Sequence, residues 1–214
     1  MKLTRRQTIF GTGTIAAAAL VLAFLVPPVP GQAVPRVGQA APDFTAVDTN
    51  GNTVHLSDYK GRTVVLEWTN HQCPFVRKHY GSGNMQAHQK AARKEGVVWL
   101  SIISSAPGTQ GYVTAEQANE LTKERGADPS AVILDPKGTI GHLYDARTTP
   151  DMYVIDAKGV LRYMGAIDDT PSADPADLQT AHSYVTPAIT AVLNGGNVDP
   201  AVTRPYGCSV KYGS

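Results

Sequence analysis

The sequence predicts an α/β sandwich, and three observations carry that prediction. Residues 63–69, 97–103 and 131–134 are short apolar runs rich in β-branched residues, the pattern of strands buried in a central sheet. Helix-like stretches, residues 73–93, 114–126 and 139–144, alternate with these runs, as in an α/β layer architecture. A late hairpin and a C-terminal helix then complete the order β-β-β-α-β-α-β-α-β-β-α.

Each element has a local cause. Residues 34–42, with Pro35 and Pro42, form a linker or arm. Residues 44–47 and 53–56 flank Asp48-Thr49-Asn50-Gly51-Asn52, a hairpin signal, and residues 57–61 read as a short turn. The helix beginning at Cys73 is expected to break at Gly81-Ser82-Gly83. Thr114 is placed to cap the next helix, with Gln117 three residues on as in a capping box, and Gly126 ends it. Residues 152–156 and 160–164 make a second hairpin through Ala157-Lys158-Gly159. Residues 176–194 predict one helix that kinks or tightens near Pro187 and stops at Gly195-Gly196. The globular domain is thus 43–196, and a tail, 197–214, packs on it and carries Cys208.

The chain has 214 residues, 42% of them apolar and 17% charged, so a packed core is expected and disorder is not. The first 33 residues read as an address. Arg5-Arg6 precede sixteen uncharged residues, Gly11 to Val26, and Pro27, Pro28 and Pro30 end any helix there. Gly31-Gln32-Ala33 offers the small residues of a cleavage site. The segment is either a cleaved export signal of twin-arginine type or a short membrane anchor, since a span usually needs about 20 residues. Either reading places the domain in the periplasm, with membrane contact only if the segment is uncleaved. Beyond residue 33, 16 basic residues face 18 acids, which excludes a basic nucleic-acid footprint.

Cys73 and Cys208 are the two cysteines, too few for a disulfide scaffold or a structural zinc site. Cys73 follows a central strand by a few residues and opens a helix. There the free N–H groups and the helix dipole favour a thiolate. Pro74 suits the first turn because its missing N–H costs nothing there. His71, Arg77 and Lys78 add positive character nearby. An inert buried thiol is the competing reading.

These residues carry a family resemblance. Ala41-Pro42-Asp43-Phe44, the Asn50-Gly51 hairpin, Leu56-Ser57-Asp58-Tyr59-Lys60-Gly61 and the strand leading to Cys73 resemble the thioredoxin-like superfamily. Its redoxin branch, the alkyl-hydroperoxide-reductase/thiol-specific-antioxidant proteins, fits best. Within that branch, residues 68–76 resemble the peroxiredoxin-like group, as do Gly165-Ala166-Ile167-Asp168-Asp169 and the stretch around Tyr206-Gly207-Cys208. The resemblance covers roughly residues 37–212. It implies a thioredoxin-like fold: a central mixed sheet flanked by helices, with an N-terminal hairpin and a C-terminal helix plus tail. It also implies that Thr149-Pro150 is a cis-proline beside the active sulfur. His71, Cys73 and His79 lack a second cysteine nearby or ligands at i,i+4 on one helix face, so no metal is expected, and the thiol chemistry needs no bound cofactor.

The departures from that family narrow the chemistry. Asn70-His71-Gln72-Cys73 has asparagine where a thioredoxin-type motif has its first cysteine, so dithiol exchange within the motif is excluded. Relative to a peroxiredoxin, Asn70 takes the place of a threonine. The family arginine falls on Pro150, leaving Arg147 to reach inward instead. Cys208 then reads either as a resolving thiol or as a structural one. The expected site comprises Cys73 and Cys208, with Asn70, His71, Pro74, Arg147, Thr149 and Pro150 shaping the pocket. Asn70 and the backbone N–H groups of residues 72–75 are expected to orient the acceptor. Glu67 is a buried proton relay or a strand-end residue facing solvent, and Asp168-Asp169 a turn or tail anchor.

Two function classes follow. The first is an enzyme that uses Cys73 on a peroxide or disulfide, with an external thiol as reductant. The second is a non-catalytic binding module for extended peptides, stapled by a permanent Cys73–Cys208 disulfide.

Overall fold

The computed structural model describes residues 34–213, so the predicted leader, residues 1–33, lies outside the described residues. The first hairpin is β1 (Thr45–Val47) and β2 (Thr53–His55), paired antiparallel. Its turn is fixed by Asp48, whose Oδ1 accepts the N–H groups of Asn50 (2.9 Å) and Asn52 (2.8 Å), and by Gly51 at φ +83°. An L-residue at that φ would be strained.

The central sheet has five strands: β3 (Val64–Trp68), β4 (Val98–Ile103), β5 (Ala131–Leu134), β7 (Asp151–Ile155) and β8 (Leu161–Gly165). Their order is β5-β4-β3-β7-β8. The β3–β4 and β4–β5 pairs are parallel, while β3–β7 and β7–β8 are antiparallel. The sheet is therefore mixed, and it contains all five strands the sequence predicts for it. Side chains alternate across β3, which separates two cores. Leu66 and Trp68 pack with Leu100, Tyr144 and Tyr153 on one face. Val65 packs on the other with Trp99, Met152, Val154, Val185 and Cys73.

The helices are α1 (Pro74–Gly81), α2 (Asn84–Lys94), α3 (Ala115–Glu124), α4 (Thr139–Leu143) and α5 (Val185–Leu193). The predicted break between α1 and α2 is real, with Gly83 at φ +80° as the N-cap of α2. The Thr114–Gln117 capping box is also present.

The predicted helix over 176–194 is a correction. Residues Pro175–Gln179 form a 3-10 turn, and the α-helix starts only at Val185. Between them Asp169 accepts the His182 N–H (2.9 Å), and Tyr184 donates its N–H to Ile167 (3.0 Å). Those bonds hold the chain in an extended bridge, and Pro187 falls in the first turn of α5, where its lack of an N–H is tolerated.

Chain ends cover the sheet edges. Residues 38–41 pair along β8, with Gly38 donating to Leu161 and Leu161 to Gln39. At the far edge Thr49 donates to Val132. Further along β8, Met164 exchanges bonds with Ala201 and Thr203 of the tail. The tail then forms β9 (Cys208–Ser209), which pairs antiparallel with β6 (Thr148–Thr149) in the register Thr149↔Cys208. Tyr212 ends the run, stacked on His142 at 4.0 Å.

Candidate active site

Cys73 is the N-cap residue of α1 and is fully buried. Two features of the local sequence put it there. The Asn70 carbonyl accepts the Cys73 N–H (3.0 Å), and the Asn70 side-chain oxygen accepts the Gln72 N–H (2.9 Å), closing a tight turn after β3. Pro74 then starts the helix at its first position. Asn70 Nδ2 also donates to Gln110 (3.2 Å), which ties this turn to the loop after β4.

Asn70 is thus a builder of the turn. Of the amides of residues 72–75, those of Gln72 and Cys73 are already bonded to Asn70 and Pro74 has none, which leaves the Phe75 N–H of that expectation.

The peptide Thr149–Pro150 is cis, and it lies against Cys73. Cys73 Sγ donates to the Thr149 carbonyl at 3.0 Å. On the other side of β6 stands Cys208, brought there by the β6–β9 ladder. Gly207 makes the approach feasible: it sits at φ +135°, and a Cβ built on it collides with the Thr149 carbonyl. Both sulfurs are free thiols, Cys73 buried and Cys208 half-buried, and Cys208 packs against the apolar cluster that contains Cys73.

Burial pushes the Cys73 thiol up, and the Thr149 carbonyl also favours the protonated form. Four donors outweigh them: the Cys208 thiol, the Val76 amide, the Thr149 hydroxyl and the Cys208 amide. Together they hold Cys73 below the ordinary thiol range. Cys208 moves the other way, to about 11, through burial and then through its hydrogen bond to Cys73 and the Cys73 charge. The two thiols are thus shifted in opposite directions, Cys73 toward easier ionisation and Cys208 away from it.

The tail is anchored two residues before Cys208 by a buried cluster that sequence reading found only in part. Tyr206 donates its hydroxyl to Asp168 Oδ1 in a short hydrogen bond. Asp168 Oδ2 faces Lys78 Nζ at 3.9 Å and His79 Nε2 at 3.8 Å. Asn84 Nδ2 donates to His79 Nδ1 (2.8 Å), so the imidazole proton sits on Nε2, 3.3 Å from the Tyr206 hydroxyl. Burial, then the Lys78 and His88 charges, hold His79 down to about 3, so it stays neutral. The tail-anchor reading of Asp168 fits this geometry. Its partner Tyr206 lies 38 residues away, a pairing that no local pattern reveals.

Other expected site residues lie elsewhere. The Arg147 side chain is 73% exposed and pairs outward with Asp145 at 2.5 Å, so the expectation that it reaches the sulfur is corrected. Asp145, at φ +51°, turns the chain so that only the Arg147 backbone faces inward, donating to Asp151 (3.2 Å) and accepting from Val210 (3.0 Å). His71 lines a separate recess with Tyr80 and Arg125, and burial followed by the Arg125 charge lowers its pKa.

Glu67 is fully buried, which excludes the solvent-facing reading. Its carboxyl oxygens accept from Tyr80 (2.8 Å), Gln89 (3.2 Å), Trp99 (2.8 Å) and Ser101 (2.9 Å). Beside Gly207 a cleft of about 550 Å3 opens between Thr148, Asp168, Tyr184, Arg204 and Tyr206.

Comparison with known proteins agrees with this architecture. The family model of the AhpC/TSA family matches residues 37–164. Among curated proteins, the thiol-disulfide oxidoreductase ResA of Bacillus subtilis is 26% identical over 57% of this chain and 63% of its own length. The thioredoxin-like protein YneN of the same organism is 29% identical over 58% of this chain and 68% of its own length. The chain thus spans somewhat under two thirds of ResA. Among solved structures, an uncharacterized conserved protein of Geobacillus kaustophilus is similar with a TM-score of 0.71 and 26% identity. The match covers 83% of this chain and 93% of that one. A hypothetical protein of Sinorhizobium meliloti, at 23% identity and a TM-score of 0.69 over 84% and 96% of the two chains, shares the fold.

Proposed function

Because the chain belongs to the AhpC/TSA family, we propose that it is a thiol oxidoreductase in which Cys73 is the attacking sulfur and Cys208 the resolving one. The observation that carries this reading is the β6–β9 register, which sets Cys208 opposite Thr149, whose carbonyl lies 3.0 Å from Cys73 Sγ. The second cysteine missing from the Asn70–Cys73 turn is supplied from 135 residues further along the chain. The similarity to thiol-disulfide oxidoreductases supports the same class of chemistry.

With a disulfide RSSR, the Cys73 thiolate forms a bond to one sulfur and displaces RS⁻. Cys208 then attacks Cys73 Sγ, expels the second RS⁻ and passes its proton to it. With a peroxide ROOH, the Cys73 thiolate takes the distal oxygen and becomes a sulfenic acid, while the alkoxide leaves as ROH after protonation. Cys208 condenses with the sulfenic acid and releases water. In both cases the product is the Cys73–Cys208 disulfide, and two external thiols reduce it while becoming a disulfide themselves.

The opposite shifts of the two thiols suit this order of events. While Cys73 is a thiolate, its hydrogen bond and charge help keep Cys208 protonated and idle. Once Cys73 is oxidised its negative charge is gone, and that hold on Cys208 ends. The resolving thiol is released to act by the first step itself.

Single-turnover kinetics on three proteins test this. Cys73→Ser abolishes the first step. Cys208→Ser leaves the first step intact and lets oxidised Cys73 persist or over-oxidise. A full first-turnover rate in Cys73→Ser rejects the assignment. We further propose that residues 1–33 export the domain to the periplasm, supported by the paired arginines, the apolar run and the prolines that end it. A reporter fused to residues 1–36 is expected to cross the inner membrane, and Arg5→Lys with Arg6→Lys is expected to stop it.

A further inference from the structure

The strand that delivers Cys208 also occupies a position. Cys73 Sγ lies 3.0 Å from the Thr149 carbonyl, on the edge of β6. An extended polypeptide that brings a sulfur to Cys73 along this edge would have to pair with Thr148 and Thr149, because those are the backbone groups flanking the sulfur. Both positions are already paired, Thr148 with Ser209 and Thr149 with Cys208. The chain's own tail lies there as an antiparallel strand, with a cysteine at the position facing Cys73.

The tail is fastened on both sides. Upstream, Tyr206 bonds to Asp168 and its ring packs edge-on against Phe75, with centroids 5.8 Å apart. Downstream, Val210 donates to Arg147 and Lys211 accepts from Ala106. Vacating the edge therefore breaks the β6–β9 ladder and pulls Tyr206 away from a buried carboxylate.

A small molecule needs a smaller opening. Cys73 is buried but Cys208 beside it is only half-buried, and a turn of the Cys208 side chain leaves the ladder bonds intact; the cleft lined by Thr148, Tyr206 and Gly207 lies next to it. Rotation of one partly exposed side chain is fast compared with strand release.

We propose that β9 fills the polypeptide edge beside Cys73, and that the sulfur pair accordingly takes small peroxides and low-molecular-weight disulfides while excluding extended polypeptide disulfides. This rests on the reading of Cys73 and Cys208 as a redox pair and specifies which substrates that pair accepts. The steps are those already balanced above, with R restricted in size.

The test uses the full chain and three named oxidants. They are hydrogen peroxide, 2-hydroxyethyl disulfide, and an extended Thr/Val peptide whose single cysteine carries 2-mercaptoethanol as a mixed disulfide. The last two share a leaving group, so their rates differ through access. The readout is the rate at which the Cys73 thiol is consumed, followed by quenched-flow mass spectrometry. The peptide is expected to react roughly ten- to thirty-fold more slowly than 2-hydroxyethyl disulfide, the factor that two broken ladder hydrogen bonds imply. In Gly207→Ala, whose Cβ collides with the Thr149 carbonyl, that ratio is expected to fall to about threefold or less as β9 lifts away.

Tyr206→Phe keeps the ring and removes the hydroxyl that anchors the tail, and it is expected to lower the ratio in the same direction. It serves where Gly207→Ala fails to fold. Equal rates for peptide and small disulfide in the wild-type protein, or an unchanged ratio in a folded variant, overturn the inference. If none of the three oxidants yields the Cys73–Cys208 disulfide, the redox-pair reading falls, and this inference with it. If the disulfide forms at equal rates from both disulfide reagents, this inference alone falls.

Discussion

Replacing Cys208 with alanine removes one donor from the Cys73 thiolate, and the size of the effect can be worked out from the site. Four groups favour the ionised sulfur against burial and the Thr149 carbonyl, and among them the Cys208 thiol contributes most. A hydrogen bond to a charged group contributes about 1.5–3 kcal/mol, and one pKa unit corresponds to about 1.4 kcal/mol. The donor is half-exposed, so water that replaces it recovers part of this. Cys208→Ala should therefore raise the Cys73 midpoint. Cys208→Ser keeps an O–H donor in nearly the same place and should raise it by much less. The assay is thiolate ultraviolet absorbance against pH on reduced protein, with iodoacetamide alkylation rates as a second measure. The sign is definite: alkylation of Cys73 at neutral pH slows in Cys208→Ala. An unmoved midpoint, or equal shifts for alanine and serine, would refute the claim that the Cys208 thiol holds the thiolate.

Glu67→Gln turns an amide group toward a pocket of four donors, so at least one buried donor loses its acceptor. Denaturant unfolding should show a loss of about 2 kcal/mol, with the Cys73 midpoint unchanged. Burial raises Asp151 to about 7, and its Oδ1 has no partner. Its folded pKa lies above its unfolded value of about 3.9, so its contribution is fully present below about pH 4 and is lost as pH rises through 7. Asp151→Asn should flatten that slope and gain up to about 4 kcal/mol relative to wild type between pH 4 and pH 8, read from melts across the range. Pro187→Ala should change stability by less than about 1 kcal/mol, because the start of α5 is set by Asp169 and Ile167; a helix extended toward residue 180 by amide exchange would contradict this.

The parts of the fold legible in the sequence are those governed by local rules. Strand runs such as residues 97–103 are apolar but for Ser101 because both faces are covered, and the Thr114 capping box is a four-residue device that reads the same in isolation. The Thr149–Pro150 peptide and Cys73 at a helix start were legible from the resemblance and from strand–turn–helix order. Arg147 was misplaced because the direction of its side chain depends on Asp145 adopting a positive φ, which no neighbour in sequence demands. The helix over 176–194 was overextended because its pattern is helical, while tertiary bonds from Asp169 and Ile167 claim the intervening backbone. The Lys78–His79–Asp168–Tyr206 cluster was missed as a unit because its members come from three separate segments, and only packing brings them together.

The most direct test of the central claim is the bonding state of the sulfurs after oxidation by a single equivalent of 2-hydroxyethyl disulfide. Tryptic mass mapping should find one peptide pair joined through Cys73 and Cys208, with no free thiol and no adduct, in a monomeric protein. Cys73 carrying a stable adduct or a sulfinic acid while Cys208 remains a free thiol would contradict the account.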